Sequence, residues 1–267
     1  MNLLLSDPAF LSVASGISYD PDAAAYIARV EGASGDNQAL ETAVKDAINN
    51  FVIGCKQDGI WNAIKASCIL AGARTRAGAL QPLVGTAPTE NGTAGGWSYD
   101  RKLGLMGNAV DNYINTNRAA NADPQNNTHI SVVLEQPILS TDAPIGSLAT
   151  PPNRFSQILG EPTAVNYTLS SGIGVSLSGN AGGFYGIARA SSTQISIRRS
   201  SATVVSSLNS VAMSIEPYFV FARNLNGSPS LYYLDRIAFY SIGESLDLAL
   251  LDARVTDLIN AFGAAIP

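Results

Sequence analysis

The stretch Gly183-Phe-Tyr-Gly-Ile-Ala-Arg-Ala-Ser-Ser-Thr-Gln-Ile-Ser-Ile-Arg-Arg-Ser-Ser-Ala-Thr-Val-Val-Ser-Ser-Leu208 contains three short segments, Gly183–Arg189, Gln194–Arg198 and Ala202–Leu208, separated by clusters of small polar residues. β-branched and aromatic side chains suit a pleated, half-buried surface, and serine clusters turn the chain between such segments. Three β-strands joined by turns are therefore predicted here.

Outward from this stretch the same texture runs from about residue 97 to 242. Thr128–Glu135, Phe155–Leu159, Asn166–Leu169, Ile173–Leu177, Tyr218–Arg223 and Tyr232–Ser241 alternate with Gly, Pro, Asn and Ser. Many short strands divided by turn signals predict a sandwich or a barrel. In Tyr232–Tyr240, Leu234, Arg236, Ala238 and Tyr240 fall on one face and Tyr233, Asp235, Ile237 and Phe239 on the other, the signature of a central strand. Residues 140–153, rich in Thr, Pro and Gly, read as the longest loop.

Helical period frames this β region. Ala23, Ile27 and Val30 predict a first helix after Asp20-Pro21, broken at Gly32–Gly35. Leu40, Ala43, Val44, Ala47, Ile48, Phe51, Val52 and Cys55 predict a second, with Asp36 as N-cap. Asp58 is expected to cap a further turn holding Trp61 and Ile64, ahead of the apolar run Ser67–Leu70. Near the other end Leu248, Leu251, Val255, Leu258, Ile259 and Phe262 share one face, with Ser245 as N-cap and Gly263 as the stop. With no linker between these parts, the expectation is a single domain over residues 17–267, helical at about 22–66 and 246–262.

Of 267 residues 46% are hydrophobic and 14% charged, which suits a globular chain whose surface is largely uncharged and polar. Sixteen Lys and Arg stand against 21 Asp and Glu, a net charge of −5, and the one basic pair, Arg198-Arg199, has no interleaved aromatics; nucleic-acid binding is not expected. Leu3-Leu4-Leu5 lacks the basic flank and length of a signal peptide, and no apolar run is long enough to span a bilayer, so synthesis in the cytosol without membrane insertion is expected.

Chemistry-bearing residues are sparse. Cys55 and Cys68 fall in apolar surroundings and read as buried free thiols. His129 is the only imidazole; behind Asn126-Asn127-Thr128 it reads as a surface or strand-end side chain rather than a catalytic base. Glycosidase sandwiches place paired carboxylates on one strand face, but Glu-x-Asp-x-x-Glu is absent, and Glu135, Glu161, Glu216 and Glu244 each lack a carboxylate two residues away. Asp20, Asp22, Asp100 and Asp111, with Asn108 and Asn112, offer oxygen ligands, yet no loop has EF-hand spacing. No catalytic residue, metal site or cofactor is predicted; calcium is chemically conceivable but not indicated.

Ser18-Tyr-Asp-Pro-Asp-Ala-Ala-Ala-Tyr26, Gly59-Ile-Trp-Asn-Ala-Ile-Lys-Ala-Ser-Cys-Ile-Leu-Ala-Gly-Ala73, Tyr99-Asp-Arg-Lys-Leu-Gly-Leu105, Asn121-Ala-Asp-Pro-Gln125 and Phe239-Tyr-Ser-Ile-Gly-Glu-Ser-Leu-Asp247 together resemble segments of phage virion structural proteins, cyanophage sequences among them. The resemblance spans about residues 17 to 263. It implies a mainly β, concanavalin-A-like (laminin-G-like) antiparallel β-sandwich with flanking N- and C-terminal helices, displayed on a virion surface. Three roles are weighed: a tail-fibre or baseplate adhesin, a capsid decoration or cement protein, and, from the sandwich class rather than the resemblance and least in keeping with the missing carboxylate pattern, a glycan-degrading enzyme. Adhesion would use aromatic rings on which a sugar face can stack, for which Trp97, Tyr113, Tyr185 and Tyr218 are the candidates. Residues 1–16 precede the resembling part. Leu3, Leu4, Leu5, Phe10 and Leu11 would suit an assembly arm laid on a neighbouring subunit of a homo-oligomer, a trimer by expectation, among other virion proteins.

Overall fold

The computed structural model describes residues 18–35, 38–179, 181–199 and 201–267. Leu3, Leu4, Leu5, Phe10, Leu11 and Asp36 lie outside the described residues. Two helices come first, α1 (Pro21–Ser34) and α2 (Thr42–Gln57), then β1 (Ile64–Ile69), the four-residue α3 (Arg76–Ala79), β2 (Pro82–Val84), β3 (Thr89–Asn91), β4 (Ser98–Asp100) and β5 (Gly104–Met106). Longer strands follow: β6 (Tyr113–Ala119), β7 (Thr128–Leu134), β8 (Ile145–Ala149), β9 (Arg154–Glu161), β10 (Ala164–Ser171), β11 (Val175–Ser178), β12 (Gly183–Arg189), β13 (Gln194–Arg199) and β14 (Ala202–Ser207). The chain closes with β15 (Pro217–Val220), β16 (Arg223–Leu225), β17 (Ser228–Ser230), β18 (Arg236–Gly243) and α4 (Leu248–Ala265).

The strands form two sheets. One runs β14-β13-β12-β7-β18-β1-β2, with β5 beside β18 and β4 beside β5; the other runs β11-β10-β9-β8-β15-β6-β3, with β16 and β17 at its side. Pairing is antiparallel except between β16 and β8. The expected antiparallel β-sandwich with flanking helices is thus the fold, and the hairpins β12-β13-β14 sit where the opening stretch put them.

Alternation sorts the side chains into two cores. Ile130, Val132 and Leu134 of β7, Ile187 of β12 and Ile197 of β13 meet Ile145, Ile158, Val165, Tyr167, Leu169, Tyr218 and Val220 of the other sheet. On the outer face of the first sheet, Ile69, Phe184, Ala188 and Phe239 pack against Phe51, Val52 and Cys55 of α2 and Leu251, Val255, Leu258 and Phe262 of α4. Each such fully buried side chain contributes about 1.5–3 kcal/mol of transfer free energy. Ser67 lies opposite Ser241, Ser241 opposite Ser131, and Ser131 opposite Gly186. Ser131 and Ser241 alternate with the inward residues of β7 and β18 and so face the helices. At Gly186 a Cβ would meet Leu248 Cδ2 at 3.0 Å, so the lack of a side chain there lets the start of α4 lie close to the sheet.

Several local expectations are corrected. α2 opens at Thr42 with Glu41 as N-cap, not Asp36. α4 is capped by Asp247, whose carboxylate accepts from the N–H groups of Ala249 and Leu250, not by Ser245, and it runs past Gly263 to keep Phe262 and Ile266 in the core. Asp58 ends α2 rather than starting a turn, and Ile64 begins β1. Residues 140–153 are not all loop: β8 lies within them, paired with β9, β15 and β16. A bulge in β18 between Ile237 and Phe239 shifts its register on β7, placing Ile237, Tyr240 and Ile242 in the inter-sheet core and Ala238 and Phe239 under the helices. The strict two-face reading of Tyr232–Tyr240 fails for that reason.

Candidate functional site

His129 is the second residue of β7 and is fully buried, not on the surface. Its Nδ1 lies 2.6 Å from the Glu244 carbonyl and its Nε2 2.8 Å from Ser241 Oγ. A carbonyl cannot donate, so Nδ1 carries the proton and Nε2 accepts from the serine. Burial, aided by the charge of Arg118 and opposed by the Glu244 hydrogen bond, holds the imidazole down at about 4. Both nitrogens are committed, Nδ1 to the segment that enters α4 and Nε2 to β18, a structural task.

Three of the four aromatic candidates cannot present a ring to a sugar. Trp97, Tyr185 and Tyr218 are buried in the inter-sheet core, and Trp97 packs edge-on against Phe221 at 5.3 Å. Tyr113 alone is partly exposed, with one face against Phe219 at 4.5 Å. Sandwich interiors need large side chains, and this chain has few aromatics with which to fill them.

The acidic candidates are likewise dispersed. Asp111 accepts from Thr93 and Asn108, and these hydrogen bonds hold its carboxyl below the usual range; Asp100 accepts from the backbone of Lys102 and Leu103. Asp20 and Asp22 share Lys56. Among the described residues no three His, Cys, Asp or Glu side chains converge in a metal-binding group.

One surface concavity sets a partly exposed tryptophan beside polar groups. α2 ends in a Schellman turn: the Ile60 N–H reaches the Cys55 carbonyl at 3.0 Å and the Gly59 N–H the Lys56 carbonyl at 3.1 Å, with Gly59 at φ +72°. Ile60 turns into the core and Ile64 follows it, so the single helical turn Trp61–Ala63 leaves the indole of Trp61 at the surface, partly exposed. Trp61, Asn62, Gly59, Lys56 and Asp22 line a cleft of about 340 Å³. Lys56 Nζ stands 5.7 Å from the Trp61 ring centroid, 2.6 Å from Asp20 and 2.6 Å from Asp22. Hydrogen bonds that Lys56 donates to the two carboxylates raise the lysine, and the same contact lowers Asp20. The cleft therefore offers a partly exposed indole, an ammonium, a carboxylate and an amide, side chains of the kinds that meet sugar hydroxyls and apolar ring faces.

Sequence reasoning placed Trp61 in a short helical turn, where it is, but did not count it among the surface aromatics. The signal was present in Asp58-Gly59-Ile60: a glycine stop whose next residue makes the capping apolar contact leaves the tryptophan after it without a place in the helix stripe.

Fold and topology together define a β-sandwich with one helix-covered sheet. No protein family and no curated protein matches the sequence. Among solved structures, the receptor binding domain of botulinum neurotoxin D aligns with a TM-score of 0.50 at 10% identity, over 73% of this chain and 52% of that one. A botulinum neurotoxin serotype D binding domain aligns at 0.49 with 10% identity, over 73% and 50%. Domain 4 of a GH43 extracellular arabinanase from Geobacillus stearothermophilus, solved with arabinotriose, aligns at 0.35 with 14% identity, over 73% and 98%. The chain spans about half the length of the neurotoxin domains, and at such identities the likeness shows the β-sandwich fold alone.

Proposed function

We propose that this chain is a non-catalytic adhesion module displayed on a bacteriophage particle, and that it holds a host saccharide in the Trp61 cleft. The observation that carries the reading is the cleft itself, where a partly exposed indole stands beside Lys56, Asp22 and Asn62. A saccharide ring stacked on Trp61 would exchange water for an apolar face while its hydroxyls bond the flanking charges. Turnover is not part of the reading, since the one imidazole is buried with both nitrogens engaged. The phage setting is drawn from the sequence resemblance, and in it a weak single site gains from several copies held together, as in the trimer proposed here. Leu3, Leu4, Leu5, Phe10 and Leu11 are the proposed assembly arm.

The test is saccharide binding on an array of bacterial surface glycans, with Trp61→Ala beside the unaltered chain. Loss of the bound glycans at unchanged melting temperature is expected; binding that survives the substitution, or cleavage of the glycan by the purified chain, would overturn the proposal. For the particle, deleting residues 2–16 should leave a folded chain that no longer enters virions, and normal incorporation would remove the arm.

Clamping of a capsid lattice is the second reading, favoured by β14. This edge strand is exposed along nearly its whole length, with Val204 and Val205 outward and neither charge nor proline to blunt it. Unprotected edges invite pairing with another chain.

A further inference from the structure

A second concavity lies where the ends of the two sheets face each other. It is a groove of about 480 Å³, walled by Asn153 ahead of β9, by Ser171, Gly172 and Ile173 around the end of β10, and by Ser207, Leu208, Asn209 and Val211 around the end of β14. Its lining mixes the amides of Asn153 and Asn209 and serine hydroxyls with apolar side chains, and none of its side chains is ionised. Ile173, 71% exposed, and Val211 form an apolar lip.

Behind this wall is a complete positive charge. Arg189, the last residue of β12, has no exposed surface. Its Nε donates to the Leu169 carbonyl at 3.0 Å, and its Nη1 to the carbonyls of Leu208 at 2.7 Å and Ser191 at 3.1 Å, so Leu208 touches the guanidinium on one side and the groove on the other. Among the described residues Nη2 has no hydrogen-bond partner, nor has the buried Oγ of Ser170, which sits in the chain between Leu169 and the groove residue Ser171. Every acceptor is a neutral carbonyl. Among the described residues Arg189 takes part in no ion pair. Burial lowers the guanidinium to about 10, which still leaves it charged at neutral pH.

The carbonyl contacts account for a clasp that ties the end of β10 to the segments after β12 and β14. They do not account for an uncompensated charge, because a buried ion is costly unless an opposite charge answers it. We propose that the groove binds an acidic saccharide, one negative charge per sugar unit, with the charged unit placed at the Leu208–Ser171 wall in front of Arg189. Asn153 and Asn209 would bond its hydroxyls, and Ile173 and Val211 would cover a ring face. Since the chain carries a net charge of −5, the overall field repels an anion, and the local cation must supply the attraction. This site is independent of the Trp61 cleft.

The experiment is calorimetric titration of the full chain at low ionic strength with an oligogalacturonate, a sulfated oligosaccharide and a neutral oligogalactose of equal length. At least one acidic probe should bind about tenfold or more tightly than the neutral one, with a preference that shrinks as salt is added. Which of the two binds distinguishes a carboxylate from a sulfate ester as the recognised group. Ile173→Asp sets a carboxylate on the lip at a side chain so exposed that folding is untouched, and it should abolish the preference at unchanged melting temperature. Trp61→Ala should retain it. Equal affinity for acidic and neutral probes, no binding of any, a preference that survives Ile173→Asp, or one that vanishes in Trp61→Ala would each overturn the proposal.

Discussion

Between about pH 6.5 and 4, His129 should contribute to the loosening of this protein by acid. His129 is the chain's only histidine, is held neutral at about 4 by burial, and would titrate near 6.5 once unfolded. Between those values the unfolded chain binds a proton that the folded one refuses, so stability is complete above about pH 6.5 and is lost as pH falls toward 4. At about 1.4 kcal/mol for each pH unit of that gap, the loss is about 3 kcal/mol. The perturbation is acidification of the native chain beside His129→Asn, whose amide can still donate toward the Glu244 carbonyl but cannot titrate. Carboxylates complicate the absolute curves: Asp20, Glu41, Asp58 and Asp111 are lowered by their partners and withdraw stability at lower pH, while Glu90 and Asp142 are raised by burial and act in the opposite sense. Both proteins share those terms, so the difference between them isolates the imidazole. Urea unfolding at pH 7.0, 6.0, 5.0 and about 4.5 reads that difference as midpoints with constant slope. Parallel stability curves for the two proteins would refute the assignment of His129 as a buried neutral side chain.

Leu251→Ala or Leu258→Ala should each cost about 2–5 kcal/mol, because both side chains are buried between α4 and the sheet; unchanged guanidinium midpoints would show that α4 does not pack there. Gly72→Ala places a Cβ 2.6 Å from the Phe262 ring at a backbone φ of +81°, and a loss of about 1–3 kcal/mol is expected in thermal melts. Cys55 and Cys68, both buried and pushed up to about 12, should resist maleimide in the native protein and react fully in urea; labelling of either in the folded state would contradict their burial.

Where the sequence was legible, periodicity was long enough to read. Gly183–Arg189 carries seven residues of strand pattern between turn signals, and β12 has those bounds. The stripe from Val44 to Cys55 repeats over three turns, and its residues bury together. Three-residue strands such as β2, β4 and β5 hold too little pattern to separate them from loop. β8 was hidden because Gly146 and Ser147 look like turn residues, although both are buried between neighbouring strands. Parity was lost at the β18 bulge because a single inserted residue leaves the amino-acid pattern intact while exchanging the faces. Arg189 was illegible for another reason: arginine is ordinarily a surface residue, and only the meeting of β10 with the segments after β12 and β14 makes its charge an interior one.

The place of β18 in its sheet governs the order in which the molecule can be made. It lies between β7 and β1, and its residues 236–243 are translated more than a hundred positions after β7. Until they emerge from the ribosome, β1 and β7 have no common neighbour, and each presents an open edge. The nascent sandwich therefore waits for nearly its whole length before the first sheet can close, a high-contact-order assembly that leaves unpaired β surface for chaperones to shield. A chain interrupted between β14 and residue 236 would leave the first sheet as two unjoined sets of strands, β14-β13-β12-β7 and β1-β2.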